Sequence, residues 1–302
     1  QDGENTIAVA LYQDRDSSSD AYFDMSSFTL TKALEEGEVV VAEPTRVILT
    51  PTETPSTSQS FSWQAGDASH NLGQVEIGAA AGGDTRVVDA YSAGIVNANP
   101  KQHFSATVVG LTPATDYRYR VGLPGSWSPW YEFGTEDPSE KDFQFIYYGD
   151  AQIGLDTTWP EVVRQAEAKA TNSIGSVHAG DLIDSGNNET QWTNWFKGMA
   201  NSASTTNVMA APGNHEYSGD KLMSSWKANF EYPHNNPDLD TIGELANLAQ
   251  GDTEVARQYA AYFTHWAAFA AETVYYTDYQ GVRFITLNAT RDTTSLTPPG
   301  LP

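Results

Sequence analysis

The feature that most constrains this chain is a change of rhythm near residue 141. Between Pro44 and Thr135 one pattern recurs, a short run of β-branched or aromatic residues broken off by Gly, Pro, Asn, Asp or Ser. The seven runs are TRVILT, SQSFSWQA, GQVEIGAA, TRVVDAYSA, HFSATVVG, TDYRYRVG and PWYEFGT, and such density predicts an all-β sandwich over residues 44–135. The polar stretch EDPSEK, Glu136 to Lys141, reads as a linker. Beyond it strands alternate with helical stretches: DFQFIYYGD, TWPEVVRQAEAKATNS, IGSVHAGD, NETQWTNWFKGMANS, TNVMAAPGN, DKLMSSWKANF and EVARQYAAYFTHWAAFAAE, then TVYYTDY and GVRFITLNA. That alternation predicts an α/β layer domain over residues 142–302. Residues 1–43 read as a β-rich segment with two short strands, NTIAVALYQ and GEVVVAEP, and no chemistry.

Charge narrows the partners. Lys and Arg total 16 against 39 Asp and Glu among 302 residues, a formal charge of −23. Nucleic acid and anionic membranes are repelled by such a surface, so neither is expected as a partner. An anionic substrate would need local positive charge, and bound metal is a natural source. No Cys is present, which excludes disulfides and thiolate zinc sites. No apolar run reaches the roughly 20 residues of a membrane span. The sequence starts at Gln1 with no Met and no signal peptide, as a processed secreted protein or a trimmed chain would. A secreted, extracellular location is the expectation.

Three polar clusters occupy equivalent places, each after an apolar strand and before a helical stretch. They are GDAQ (Gly149 to Gln152), GDLID (Gly180 to Asp184) and GNHE (Gly213 to Glu216). Ligands in open α/β sheets gather at the carboxyl ends of strands, so the three can converge in space. Glycine lets the backbone turn sharply and approach a bound group. The next residue in each offers a hard oxygen: carboxylate, carboxylate, amide. Such donors, joined by imidazoles, suit Mn, Fe or Zn. Singly, a Gly-Asp is an ordinary turn, an Asn a helix cap and a His a surface residue; the set of three is what carries weight.

As a set, the clusters resemble the calcineurin-like metallophosphoesterase superfamily. PTRVILTPTETPSTSQSFSW with LTPATDYRYRVG and WSPWYEFGT is similar to the fibronectin type III-like domain that precedes the catalytic domain of purple acid phosphatases. The resemblance covers about residues 44–302 and implies an αββα catalytic domain. It implies that Asp150 binds a first metal, Asp181 bridges two, Asn214 binds the second, and His215 is catalytic, as general acid toward the leaving oxygen or to steady the transition state. The cofactor implied is a pair of divalent or trivalent transition-metal ions, Fe, Zn or Mn. The activity implied is hydrolysis of phosphate esters, foremost phosphomonoesters, by a metal-activated hydroxide with His215 assisting the leaving group. Phosphodiesterase, nucleotidase and a non-catalytic binding module with a degenerate site stay open as alternatives.

The sequence departs from the family pattern in three places. Asp184 stands where purple acid phosphatases carry the iron-binding Tyr, which argues against a purple iron–tyrosinate; it reads as a metal ligand, a supporting acid or a solvated one. Gln152 stands where many relatives have Gly or His, to hydrogen-bond the site or cap its turn. The later histidines that complete the family's metal site are missing, as are strands of its second sheet. The expectation is therefore an incomplete catalytic domain with an exposed apolar face, partnered by the C-terminal remainder of the same protein, in the same chain or as a separate one.

The other histidines read as follows: His178 buried on a strand, His265 packed in a helix, His70 and His103 on the sandwich surface. His234 lies in a loop and can face a substrate. Tyr117, Tyr119, Trp63, Trp127 and Trp130 read as core or domain-interface residues rather than ligand-stacking ones.

Overall fold

Alternation along one short strand explains how the two regions join. Strand β1, Thr45–Thr50, turns Val47 and Leu49 toward one apolar core and Ile48 toward another. Successive side chains on a strand point to opposite faces, so a single element serves both regions. The structure, a computed structural model, describes residues 43–290 except 98, 140 and 141. All of these belong to one compact unit, Leu34–Pro302. The two strands expected before Pro44 lie outside the described residues.

All seven runs of the sandwich are strands: β1, then β2 Ser58–Ala65, β3 Gly73–Ala79, β4 Thr85–Ile95, β5 Gln102–Val109 and β6 Asp116–Leu123, with PWYEFGT supplying the last. A two-residue β7, Ser126–Trp127, comes before that last strand, β8 Tyr131–Gly134. The order runs β7–β6–β3–β4–β5–β2–β1, with β8 also on β6. Strand β4 pairs with β3 along its first half and with β5 along its second, across a register shift between Ser92 and Gly94. Phe61, Trp63, Phe104, Tyr119 and Phe133 fill the core; the Phe61 ring lies 4.7 Å from Tyr119 and 5.7 Å from Phe133. Trp63 is core as expected, but Trp127 and Trp130 flank the Arg120 guanidinium, 4.8 and 4.7 Å away. His103 is no surface residue. It is buried, beside the Gln64 amide at 2.6 Å and the Gly94 carbonyl at 3.2 Å, and burial pulls its imidazole down to about 4. Alternation points it away from the core that Phe104 and Ala106 fill, and it is buried because the other face of β5 is covered as well.

The α/β region contributes β9 Gln144–Tyr148, α1 Thr158–Lys169, β10 Ser173–His178, α2 Glu189–Gly198, α3 Ala200–Ala203 and β11 Asn207–Ala210. Strands β9, β10 and β11 are parallel neighbours in the order β11–β10–β9. Strand β1 pairs in parallel with β11, so one sheet runs through both regions. Then come α4 Ser224–Asn229, a 3-10 turn at Gly243–Ala249, α5 Glu254–Ala270 and a separate hairpin, β12 Tyr275–Tyr279 with β13 Val282–Thr286. Four tryptophans, Trp159, Trp192, Trp195 and Trp226, join Phe230, Tyr232 and Tyr275 over β10 and β11. Fully burying one large apolar side chain is worth about 1.5–3 kcal/mol, so this aromatic layer holds the helices on the sheet. His265 corrects another expectation: on α5 it is exposed, because the apolar face of that helix lies elsewhere on its circumference.

The second sheet among the described residues is the β12–β13 hairpin. Phe145 and Tyr147 on edge strand β9 and Ile285 on β13 are exposed. The stretch expected as a linker is tied down at its start: Glu136 is buried, and its carboxylate accepts from the Gln280 N–H. No helix among the described residues is long and apolar enough to cross a membrane.

Candidate metal centre

The three parallel strands end level. His178, the last residue of β10, stands opposite Tyr148 of β9 on one side and Ala210 of β11 on the other. Asp150, Asp181 and Asn214 follow these residues by two, three and four positions. Level strand ends with short polar extensions bring three loops to one edge of the sheet.

Asp181 is where the loops meet. Its carbonyl accepts from Ala151 N and Gln152 N, both at 3.1 Å, which ties in the Asp150 loop. Its Oδ1 accepts from His215 N at 3.0 Å, which ties in the Asn214 loop. Asp181 has φ +51° and Gly180 φ +95°, two left-handed residues in succession. For aspartate that conformation is strained and persists only where neighbours enforce it. Two glycines make the close approach possible. A Cβ on Gly213 would lie 2.2 Å from Asp181 Oδ1, and one on Gly180 would lie 2.8 Å from Gly213 N. Gly149 meets nothing within 4 Å, so the steric argument holds for two of the three clusters.

Glu216 holds the arrangement, and the sequence reading passed over it. It is 1% exposed, and its carboxylate accepts from Gly213 N (2.6 Å), Leu182 N (2.7 Å), Asp181 N (3.0 Å) and Ile183 N (3.4 Å). Burial pushes the carboxyl up to about 7, against the pull of the Gly213, Leu182 and Asp181 N–H donors. Both oxygens are spent on backbone, so Glu216 is a clamp. The signal was present: a carboxylate ending GNHE at a turn rich in unpaired N–H groups.

His215 is oriented by Asp184. Its Nδ1 lies 2.8 Å from the Asp184 carbonyl and 3.4 Å from the Asp184 carboxylate. The Asp184 carbonyl, with the charges of Asp181 and Asp184, raises the imidazole above its ordinary value. Asp184 meets His215 mainly through its backbone carbonyl, with its exposed carboxylate farther off. Gln152 joins the loops through its backbone N–H, while its side-chain Oε1 is buried without a partner.

By chemistry, two carboxylates and an amide oxygen are donors that a transition-metal ion takes. Asp181 accepts from His215 N through Oδ1, and Asp150 and Asn214, on the loops tied to it, are exposed. The His, Asp and Glu atoms at these loops do not draw within 4.8 Å of one another as a set of three. His178, as expected, is buried, with Nε2 2.9 Å from Ser176 Oγ, and desolvation pulls it down to about 3. His234 instead faces Glu272 at 3.5 Å.

Comparison with known proteins follows the same division of the chain. The purple acid phosphatase N-terminal domain family matches residues 44–135, and the calcineurin-like phosphoesterase family matches residues 146–294. A purple acid phosphatase isolated from yellow lupin (Lupinus luteus) seeds superposes with a TM-score of 0.57 at 18% identity, over 82% of this chain and 45% of that one. PhoD gives 0.47 at 13% identity, over 83% and 53%. A fibronectin type III domain of human collagen XX gives 0.24 at 20% identity, over 33% and 97%. The chain thus spans about half the length of the lupin purple acid phosphatase and of PhoD. No curated protein matches it in sequence. With a purple acid phosphatase N-terminal domain followed by a calcineurin-like phosphoesterase domain, the chain belongs to the metallophosphoesterase superfamily.

Proposed function

We propose that this protein hydrolyses phosphate esters, foremost phosphomonoesters, with two transition-metal ions (Fe, Zn or Mn) held by Asp150, Asp181 and Asn214. The supporting observation is the meeting of three strand-end loops on Asp181. The ions would supply the charge that neutralises the phosphoryl oxygens and lower the pKa of water at the site. The chain's own residues do the rest. Gly180 and Gly213 let the donor loops touch, and Glu216 holds them there. His215, with Nδ1 occupied by Asp184, has Nε2 to pass a proton to the departing oxygen.

His215 is the imidazole these loops carry. The family adds further histidines, and we place these on another segment of polypeptide, of the same protein or of a separate chain. The acid-rich, Cys-free composition favours work outside the cell.

The test pairs two variants with two substrates. Asn214→Ala loses metal; His215→Ala keeps metal and loses turnover, by on the order of 10²–10⁴-fold. Equal metal loss in both contradicts the assigned roles. Faster cleavage of an aryl phosphate than of its bis-ester supports the monoesterase, and the reverse assigns a diesterase. Protein that binds no transition metal would make the chain a binding module.

A further inference from the structure

A second set of donors lies away from the strand-end loops. Glu231, His234 and Glu272 each bring a ligand atom within 4.8 Å of the other two, the only such set of three among the described residues. They come from separate stretches: Glu231 and His234 follow α4, and Glu272 sits between α5 and β12. Fixed backbone holds them. The Thr50 hydroxyl donates to the Glu231 carbonyl at 2.5 Å, and Trp226 Nε1 donates to the Glu272 carbonyl at 3.0 Å. The Glu272 side chain is 12% exposed, that of His234 62%.

Two carboxylates this close, both partly removed from solvent, repel each other, and the Ser105 side chain hydrogen-bonds one of them, Glu231. His234 Nε2 stands 3.5 Å from Glu272 Oε1, beyond a good hydrogen bond. Lys227, whose ammonium donates to the Ala268 carbonyl at 3.2 Å, adds one positive charge on the Glu272 side. A separate observation concerns access. A cleft of about 770 Å³ opens onto all three residues, walled on its far side by Tyr91, Phe104 and Ala106 of the sandwich. Water can therefore reach the set and complete a coordination sphere.

We propose that Glu231, His234 and Glu272 form a mononuclear divalent-cation site, independent of the strand-end centre, that fastens the α5–β12 junction to the loop after α4. One imidazole and two carboxylates with a further position open to solvent is a ligand set suited to zinc, with manganese second. Such an ion neutralises both acids and adds to the contacts that already join the two stretches, the paired hydrogen bonds of Asn235 with Tyr276 and the stacked Tyr232 and Tyr275 rings. The site does not depend on the proposed activity.

The test reads His234 directly. The purified chain is treated with diethyl pyrocarbonate with and without micromolar zinc, and modification is followed by peptide mass. His265, exposed on α5, is the internal control. Zinc should slow modification of His234 several-fold and leave His265 unchanged, and Glu272→Gln should abolish the protection. Equilibrium dialysis should show one zinc fewer per chain in Glu272→Gln than in the parent; Glu231→Gln is the alternative should the first variant fold poorly. Equal His234 modification with and without zinc overturns the proposal. So does protection that needs millimolar zinc, which marks an adventitious ion only. A melting temperature that Glu272→Gln lowers equally with and without zinc assigns the cluster to an ion-pair network with Lys227, which also overturns it.

Discussion

The sandwich and the α/β region share a strand yet hold their buried polar groups in different ways. In the sandwich those groups pair across strands in register. Gln64 and His103 are direct cross-strand partners whose side chains meet, and the Ser60 and Thr107 hydroxyls meet at 2.8 Å on the same strand pair. At the strand-end loops a single carboxylate, Glu216, gathers four N–H groups from two loops that no strand ladder connects. A ladder spreads its load over many residues. The loops depend on one, so damage there should be concentrated and functional, while damage in the sandwich should be shared and structural.

The sharpest way to break this contrast is Glu216→Ala. It strips the acceptor from four backbone donors, and each buried donor left unsatisfied costs about 1–3 kcal/mol. The loops should part and hydrolysis should fall by at least about 100-fold, the scale of a 1 Å misplacement. Glu216→Gln keeps one oxygen but turns an amide donor toward other donors, and it should lose nearly as much. Metal content measured alongside turnover should fall in step. Near-parental activity in Glu216→Gln would mean that the loops hold themselves.

Next in size are two substitutions one residue apart. Ile48 and Leu49 are 0% and 1% exposed, one in the α/β core and one in the sandwich core. Each truncation to Ala should cost about 2–5 kcal/mol in urea unfolding. Ile48→Ala should also weaken metal retention, since it loosens the side of β1 facing the helices, whereas Leu49→Ala should leave retention unchanged. Identical metal retention in both would show that the shared strand does not separate the two cores.

The sequence made the strands legible because their signal is local: alternation and turn residues marked all seven sandwich runs, and Gly-Asp, Gly-Asp and Gly-Asn marked the strand ends. What stayed hidden depends on tertiary partners. His103 looks polar in isolation and is buried because Gln64 and Gly94 flank it. His265 sits in an apolar string, yet its place on the helix circumference faces outward. Glu216 as a clamp requires knowing which N–H groups lie nearby, and Glu272 lies 38 positions from His234 in sequence, too far for any spacing rule.

The third prediction uses pH on the sandwich side. Folded His103 takes its proton near pH 4, while in the unfolded chain it does so near 6.5. Between those values the unfolded state holds the extra proton, so this residue's contribution is complete above about pH 6.5 and lost as pH falls to 4. The full loss is about 3 kcal/mol at 1.36 kcal/mol per unit. The difference in unfolding free energy between the parent and His103→Gln, measured at pH 7 and pH 4, isolates the effect. A parent that loses no more stability than the variant would show that His103 is protonated when folded.

The smallest expected effect lies at Asp184. Its carbonyl, which any residue supplies, stands 2.8 Å from His215 Nδ1, whereas its carboxylate is at 3.4 Å and 55% exposed. An exposed charge at that range adds at most about 1 kcal/mol. Asp184→Ala should therefore lower kcat only a few-fold and leave metal content intact, with Asp184→Asn closer still to the parent. A loss as large as that of His215→Ala would show that the carboxylate, not the backbone, orients the imidazole. Loss of metal in Asp184→Ala would instead make this residue a ligand and extend the donor set beyond Asp150, Asp181 and Asn214.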